Sequence, residues 1–405
     1  MKRLIALFGL AAAPIAAQMP QPPSASAPAP AAQAPAAQGP AAQAPAAQAQ
    51  QRWAMSDTLL AFVPARLAVP RRAGALEAVR HFEASAEGQG IDNGVHYQSA
   101  DREMSGRIYI YQPGLPHAGL AAIATGEMIR ATSPEPVDAV DAWVADAGGA
   151  RSVAIRTQYR NYQGRYAVDA AFVKAGRWIV KINVTGPAAR AADVRAAIDA
   201  MLAGIRWGVN PPRPAQPIAL RPCAAGEGER DARPLADPPH AEIAALGLLA
   251  TFDGGGIPAT ENGAERNLPS RIPAALCLSS YIDREASRMP ILRGAAGEPL
   301  SIDGRTRLVA MLNDNGMALE VVHAPNFRRF IVMMHRMGET HILGGYDGVP
   351  SDRQVADLVY GRAGTAANPR VTARFPADGA PAIYLPAPPP APPPAPAPAP
   401  ASPGN

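Results

Sequence analysis

His335 and His341 have the spacing that comes nearest to chemistry. They flank the short segment Met337-Gly338-Glu339 between two apolar runs. A turn centred on Gly338 sets them opposite one another on an antiparallel pair, with Cβ atoms about 5.5 Å apart. Two imidazoles at that separation can share a metal ion. The ligand set is incomplete, because Glu339 lies in the turn itself and Glu320 alternates onto the other face, while a structural zinc site wants four ligands. The competing reading is a hydrogen-bonded or solvent-facing cross-strand pair that repels when both rings are protonated. The sequence therefore assigns no catalytic residue, no metal and no cofactor. A metal-dependent or hydrolytic enzyme built around His335 and His341 stands as the alternative to a non-catalytic binding module.

Cys223 and Cys277 are the only cysteines. Two cysteines in an exported chain point to a disulfide. The bridge would tie the start of a second domain to its first strand, worth about 4 kcal/mol in the chain-entropy picture. No motif supplies a base to make either a catalytic thiol. Asp253-Gly254-Gly255-Gly256 follows a helical segment and precedes Ile257-Pro258, whereas a phosphate-cradling loop runs from strand to helix. Ser279, Ser280 and Ser301 lack the Gly-x-Ser-x-Gly elbow. Asp303-Gly304 and Asp314-x-Gly316 carry turn chemistry. Arg305, Arg307, Arg328, Arg329 and Arg336 form the densest basic group, with Asp303, Asp314 and Glu320 nearby to balance it. Such a group is more often a solvated strand face; an acidic cell-wall polymer is the partner it would otherwise meet.

The compartment is read from the ends. Met1 to Ala17 has the pattern of a cleavable leader: Lys2-Arg3, an apolar run over Leu4 to Ala13, then small residues. The run is too short to span a bilayer, so no transmembrane segment is expected after cleavage. The expected location is the periplasm, with secretion as the alternative. Removing Lys2 and Arg3 takes the net charge from +4 to +2 (4 − 2), which gives no general attraction to nucleic acid. An envelope protein or cell-wall polymer is the expected partner. Oligomeric state is not legible.

Residues 18–51, rich in Ala, Pro and Gln, and 386–405, rich in Pro and Ala, are expected to be disordered. Between them lie a first domain, 53–209, a Pro-rich linker, 210–217, and a second domain, 218–364. In the first, Tyr166, Val168, Ala170 and Phe172 alternate, as do Trp178, Val180, Ile182 and Val184, joined over Lys174-Ala175-Gly176-Arg177. That predicts a hairpin with one buried and one wet face, Asp169, Lys181 and Asn183 being wet. Val194, Ile198, Met201, Leu202 and Ile205 predict a helix packed on it. Further helices are expected over Ala118 to Arg130, with Leu120, Ile123 and Met128 inward, and over Val137 to Asp146. Val95 to Tyr97 and Arg107 to Tyr111 predict a strand pair, and Val153 to Tyr159 another strand.

In the second domain, Ala241 to Phe252 predicts a helix and Asp253 to Pro269 a loop. Strands are expected over Ala275 to Leu278, Met289 to Leu292, Arg307 to Leu312, Leu319 to His323, Arg329 to His335 and His341 to Leu343. Ser351-Asp352-Arg353-Gln354 is a capping box ahead of an apolar stripe, Val355, Leu358 and Val359, ended by Gly361. The class is α+β: two layered domains, each an antiparallel meander packed by helices. The order of strands, helices, meander and terminal helix in the first domain resembles exported proteins of the Mog1/PsbP type. That likeness implies an α/β/α sandwich for the first half alone.

Overall fold

The computed structural model describes residues 52–85, 88–208, 211–237, 270, 272–284, 287–294, 306–324, 328–364, 368–378 and 380–385. The leader, both Ala/Pro-rich ends, the 241–252 helix, the 253–269 loop with its glycine run, and Ser301, Asp303 and Arg305 lie outside these residues.

In chain order the first half contains β1 (Trp53–Met55), β2 (Leu59–Phe62), β3 (Leu67–Pro70), β4 (Arg72–Ala73), β5 (Leu76–Glu83), β6 (Asp92–Ser99), β7 (Ser105–Tyr111), α1 (Ala118–Ala131), β8 (Asp138–Ala147), β9 (Ala150–Tyr162), β10 (Tyr166–Ala175), β11 (Trp178–Pro187), α2 (Ala191–Gly204) and β12 (Arg206–Trp207). An eight-stranded antiparallel sheet runs β4-β5-β6-β7-β11-β10-β9-β8, and a small sheet runs β1-β2-β3-β12. The second half contains β13 (Ala219–Pro222), β14 (Ala275–Arg284), β15 (Ser287–Gly294), β16 (Thr306–Met311), β17 (Ala318–Ala324), β18 (Arg329–Arg336), β19 (Glu339–Tyr346), α3 (Asp352–Val359), β20 (Val371–Arg374) and β21 (Ala382–Tyr384). These strands pair in sequence order, so the second sheet is one long meander reaching Tyr384, with only β13 and β14 parallel. Strand outweighs helix, and the class is sheet-dominated rather than an even α+β packing. Among the described residues no helix is long and apolar enough to cross a membrane.

The β10–β11 hairpin turns over Gly176-Arg177, with Ala175 opposite Trp178. Its register corrects the expectation of one wet face. Phe172 stands opposite Lys181 and Ala170 opposite Asn183, while Asp169 stands opposite Val184 and Ala171 opposite Ile182. The two apolar series therefore lie on opposite faces, and each face needs a cover. Val180, Ile182, Val184, Ala171 and Val173 form one core with Val194, Ile198, Met201 and Leu202 of α2. Phe172, Ala170, Val168, Ile155 and Tyr159 form another with Ala118, Ala121, Ala122 and Ile129 of α1. Asp169 and Lys181 are consequently buried, not wet.

The segment 137–146 is strand β8, not a helix. Val140 and Val144 satisfy helical spacing, but with Ala142 they also satisfy alternation, so periodicity alone leaves the choice open. Gly148 and Gly149, both at positive φ, close a tight turn that pairs Ala147 with Ala150, and the β9 ladder takes the segment. Within α1, Leu120 is buried, Ile123 is half-buried and Met128 lies at the surface, contrary to its expected inward position.

The capping box stands as read: Ser351 Oγ accepts from Gln354 N, and Gln354 Oε1 accepts from Ser351 N. Cys223 and Cys277 are joined by a disulfide, fixing the end of β13 to β14.

Candidate functional site

The β18–β19 hairpin is where the sequence placed its histidines. Its loop is Met337-Gly338, with Arg336 opposite Glu339, so the turn is centred between those two residues rather than on Gly338. Gly338 takes φ +65°, and a Cβ there would come within 2.7 Å of Ile91 Cδ1. The one-position shift pairs His335 with Thr340 and His341 with Met334. Neighbouring strand positions face opposite ways, so the two imidazoles do not meet.

His335 Nε2 lies 2.9 Å from Glu320 Oε2 and its Nδ1 2.9 Å from Thr340 Oγ1. Glu320 is thus on His335's face, not the other one. Thr306 Oγ1 donates to the second Glu320 oxygen. Hydroxyl, imidazole and carboxylate in line are the parts of a hydrolytic triad. Here Thr340, His335 and Glu320 are 0%, 1% and 0% exposed, so no substrate reaches them, and the network is internal structure. His341 contacts Thr372 Oγ1 at 2.9 Å and Glu339 Oε1 at 2.8 Å.

The other sequence candidates are occupied too. Ser279 and Ser280 donate to Asp352 at the start of α3. Glu227 completes a three-residue group with Cys223 and Cys277, but both sulfurs are consumed in the disulfide. Arg329 and Arg336 begin and end β18, about 23 Å apart at strand rise. Arg336 is exposed and Arg307 buried, so the basic residues do not make one face.

Reactive groups converge elsewhere, against the expectation that none would. A cavity of about 390 Å³ opens between α1, the sheet face it covers, and the β16–β17 turn. Cross-strand pairing builds its floor: Asp92 of β6 stands opposite Tyr111 of β7, Lys181 of β11 opposite Tyr109, and Asn183 opposite Arg107. Thr125, Met128 and Ile129 descend from α1, and Asp314 and Asn315 arrive from the turn. Asn313 Oδ1 accepts from Asn315 N and Met317 N and shapes that turn.

Lys181 is 5% exposed and forms an ion pair with Asp314, across 133 positions of sequence. Its ammonium also lies 5.8 Å from the centre of the Tyr109 ring. Burial first, then the negative charge of Asp314, pushes the Asp92 carboxyl up to about 6, with Lys181 opposing. Burial holds the Tyr111 phenol well above its ordinary range, so it stays neutral. Tyr111 Oη, Thr125 Oγ1, Asn183 Oδ1 and Asn315 Oδ1 are buried, all belong to lining residues, and have no hydrogen-bond partner among the described residues. Buried polar groups are ordinarily paired, and these four exceptions gather around one cavity. A second hollow of about 110 Å³, lined by Met128, Met289, Met311 and Leu312, adjoins it at Asp314.

Sequence reading missed this site because its residues come from β6, β7, α1, β11 and a turn far along the chain. One linear signal existed. Lys181 is one of three lysines in the chain and sits inside an apolar strand, where a charge needs a partner. Asp314 was legible only as turn chemistry. Compared with known proteins, the sequence matches no family model and no curated protein.

Proposed function

We propose that this is an exported, periplasmic binding module, without catalysis, that takes a small polar molecule into the cavity between α1, the β6-β7-β11 face and the β16–β17 turn. The observation that carries it is the set of four unpartnered buried polar atoms on Tyr111, Thr125, Asn183 and Asn315. The cavity volume falls within the range of small-molecule sites, and the lining is mainly polar and charged, with Met128, Ile129 and Val168 as its aliphatic side chains. A carboxyl titrating near pH 6 can exchange a proton with a guest. Export rests on the leader pattern of Met1 to Ala17. We also read 53–209 and 218–364 as two domains that build one site. Helices on both sheet faces of the first support reading it as an α/β/α sandwich of the Mog1/PsbP type.

Ligand-observed NMR with a library of polar fragments tests the assignment. Hits should bind the full chain and be lost in Met128→Trp, which fills the mouth, and in Asn183→Leu, which removes an acceptor without adding bulk. Hits that survive both substitutions would place binding elsewhere.

A further inference from the structure

Part of the first sheet is left open. Where β5, β6 and β7 run side by side, one face is core: Val95, Tyr97 and Ile108 are fully buried. The other face lies beside α1, which packs over β9 and β10. There Arg80 of β5 stands opposite His96 of β6, and His96 opposite Arg107 of β7. Arg80 and Arg107 are exposed and His96 is half-buried. With strands about 4.8 Å apart, the row spans about 10 Å. Burial, then the positive charges of Arg107 and Arg80, hold the His96 imidazole below its ordinary range. The acids around the row are engaged or distant. Glu77 pairs with Arg72, Glu83 with Arg52 and Asp314 with Lys181. Asp92 lies four positions along β6 from His96, about 13 Å at strand rise. Arg80 rests over the Phe82 ring at 5.9 Å, and Arg107 Nη1 donates to Tyr109 Oη at 3.2 Å. Neither arginine has an ion pair among the described residues. Phe82 and Tyr109 meet edge to face at 6.0 Å above Gly94, where a Cβ would come within 2.4 Å of Phe82 Cζ.

We infer that this open face binds an acidic polysaccharide, with its carboxylates on Arg80 and Arg107. Guanidinium groups take carboxylates in a two-pronged fit, and both of these are free to do so. An uncovered sheet face suits an extended chain, whereas small molecules are held in concave sites. Cations recurring at strand spacing match a polymer with one anionic group per sugar. A nucleic-acid strand needs open ring faces on which to stack its bases; here Arg80 lies over Phe82, and Phe82 meets Tyr109 edge to face. Arg80, Phe82 and His96 do not line the cavity, so this surface is independent of what enters it. The side chains facing His96 are Arg80 and Phe82 from β5 and Arg107 and Tyr109 from β7. A carboxylate laid over them favours the charged imidazole, so binding tightens as pH falls below about 6.5.

Calorimetry on the full chain tests this with an oligogalacturonate, its methyl ester and a single-stranded DNA oligomer of equal charge. The acid should bind at least about tenfold tighter than the ester, and tighter than the DNA. Arg80→Gln should weaken the acid about three- to fivefold, the measure of one exposed ion pair, and leave fragment binding in the cavity unchanged. The doubly substituted Arg80→Gln, Arg107→Gln should weaken it further. The His96 ring resonances should titrate at higher pH with the oligomer bound than without it. Ester binding as well as acid, DNA binding more tightly, acid binding unmoved by the double substitution, or no binding of the acid would each overturn the inference and leave the cavity reading untouched.

Discussion

At the residue scale the informative positions are charges that the fold buries. Asp92 holds its proton up to about pH 6 in the folded chain, against about 4 in an unfolded one. Folding therefore takes up a proton between those values, and the stability due to this group declines as pH rises through 6. Asp92→Asn removes that decline. Its denaturant midpoint should exceed that of the parent at about pH 8 and match it near pH 4; an equal gain at both would place the effect elsewhere. Arg156 is the opposite case. It donates to both oxygens of Asp169, at 3.0 and 2.7 Å, and also pairs with Asp199 on α2. Asp169 is 2% exposed, so Arg156→Ala leaves an uncompensated buried carboxylate. Urea unfolding should show a loss of about 3–5 kcal/mol, most of it recovered in the double variant Arg156→Met, Asp169→Leu. A loss under about 1 kcal/mol would mean that solvent reaches the pair.

At the scale of elements, the disulfide carries the plainest prediction. It links residues 54 positions apart, and closing a loop of that length is worth about 4 kcal/mol in the chain-entropy picture. Cys223→Ser, Cys277→Ser should lose a comparable amount in unfolding measurements; no change would mean the unfolded chain gains little freedom when the link is cut. These elements also show what periodicity could and could not reveal. The α2 stripe, the capped α3 and most strands of the second meander were legible, because one apolar period and local turn residues decided each of them. β8 was not, because Val140 and Val144 fit both periods. The hairpin loops carried the consequential ambiguity. A shift of one position at Met337-Gly338 separated His335 from His341. The β10–β11 register moved Lys181 from an expected wet face to a cavity floor.

At the scale of the whole molecule, the site exists because distant segments meet. Gly114 N donates to Arg336 O and Gly338 N to Gln112 O, so the β18–β19 turn is fastened to the segment that follows β7. The Lys181–Asp314 pair brings the β16–β17 turn over the first sheet. Nothing in a linear pattern announces such a meeting, and for that reason the sequence suggested two compact bodies without a reactive centre. The most direct test is a map of amide chemical-shift changes on isotope-labelled full chain as a polar fragment that binds is titrated in. The account predicts that the changes concentrate on Asp92, Tyr111, Thr125, Lys181, Asn183 and the Asp314-Asn315 turn, drawing on both halves of the chain at one midpoint. Changes gathered around His335 or His341, or spread without a centre, would contradict it.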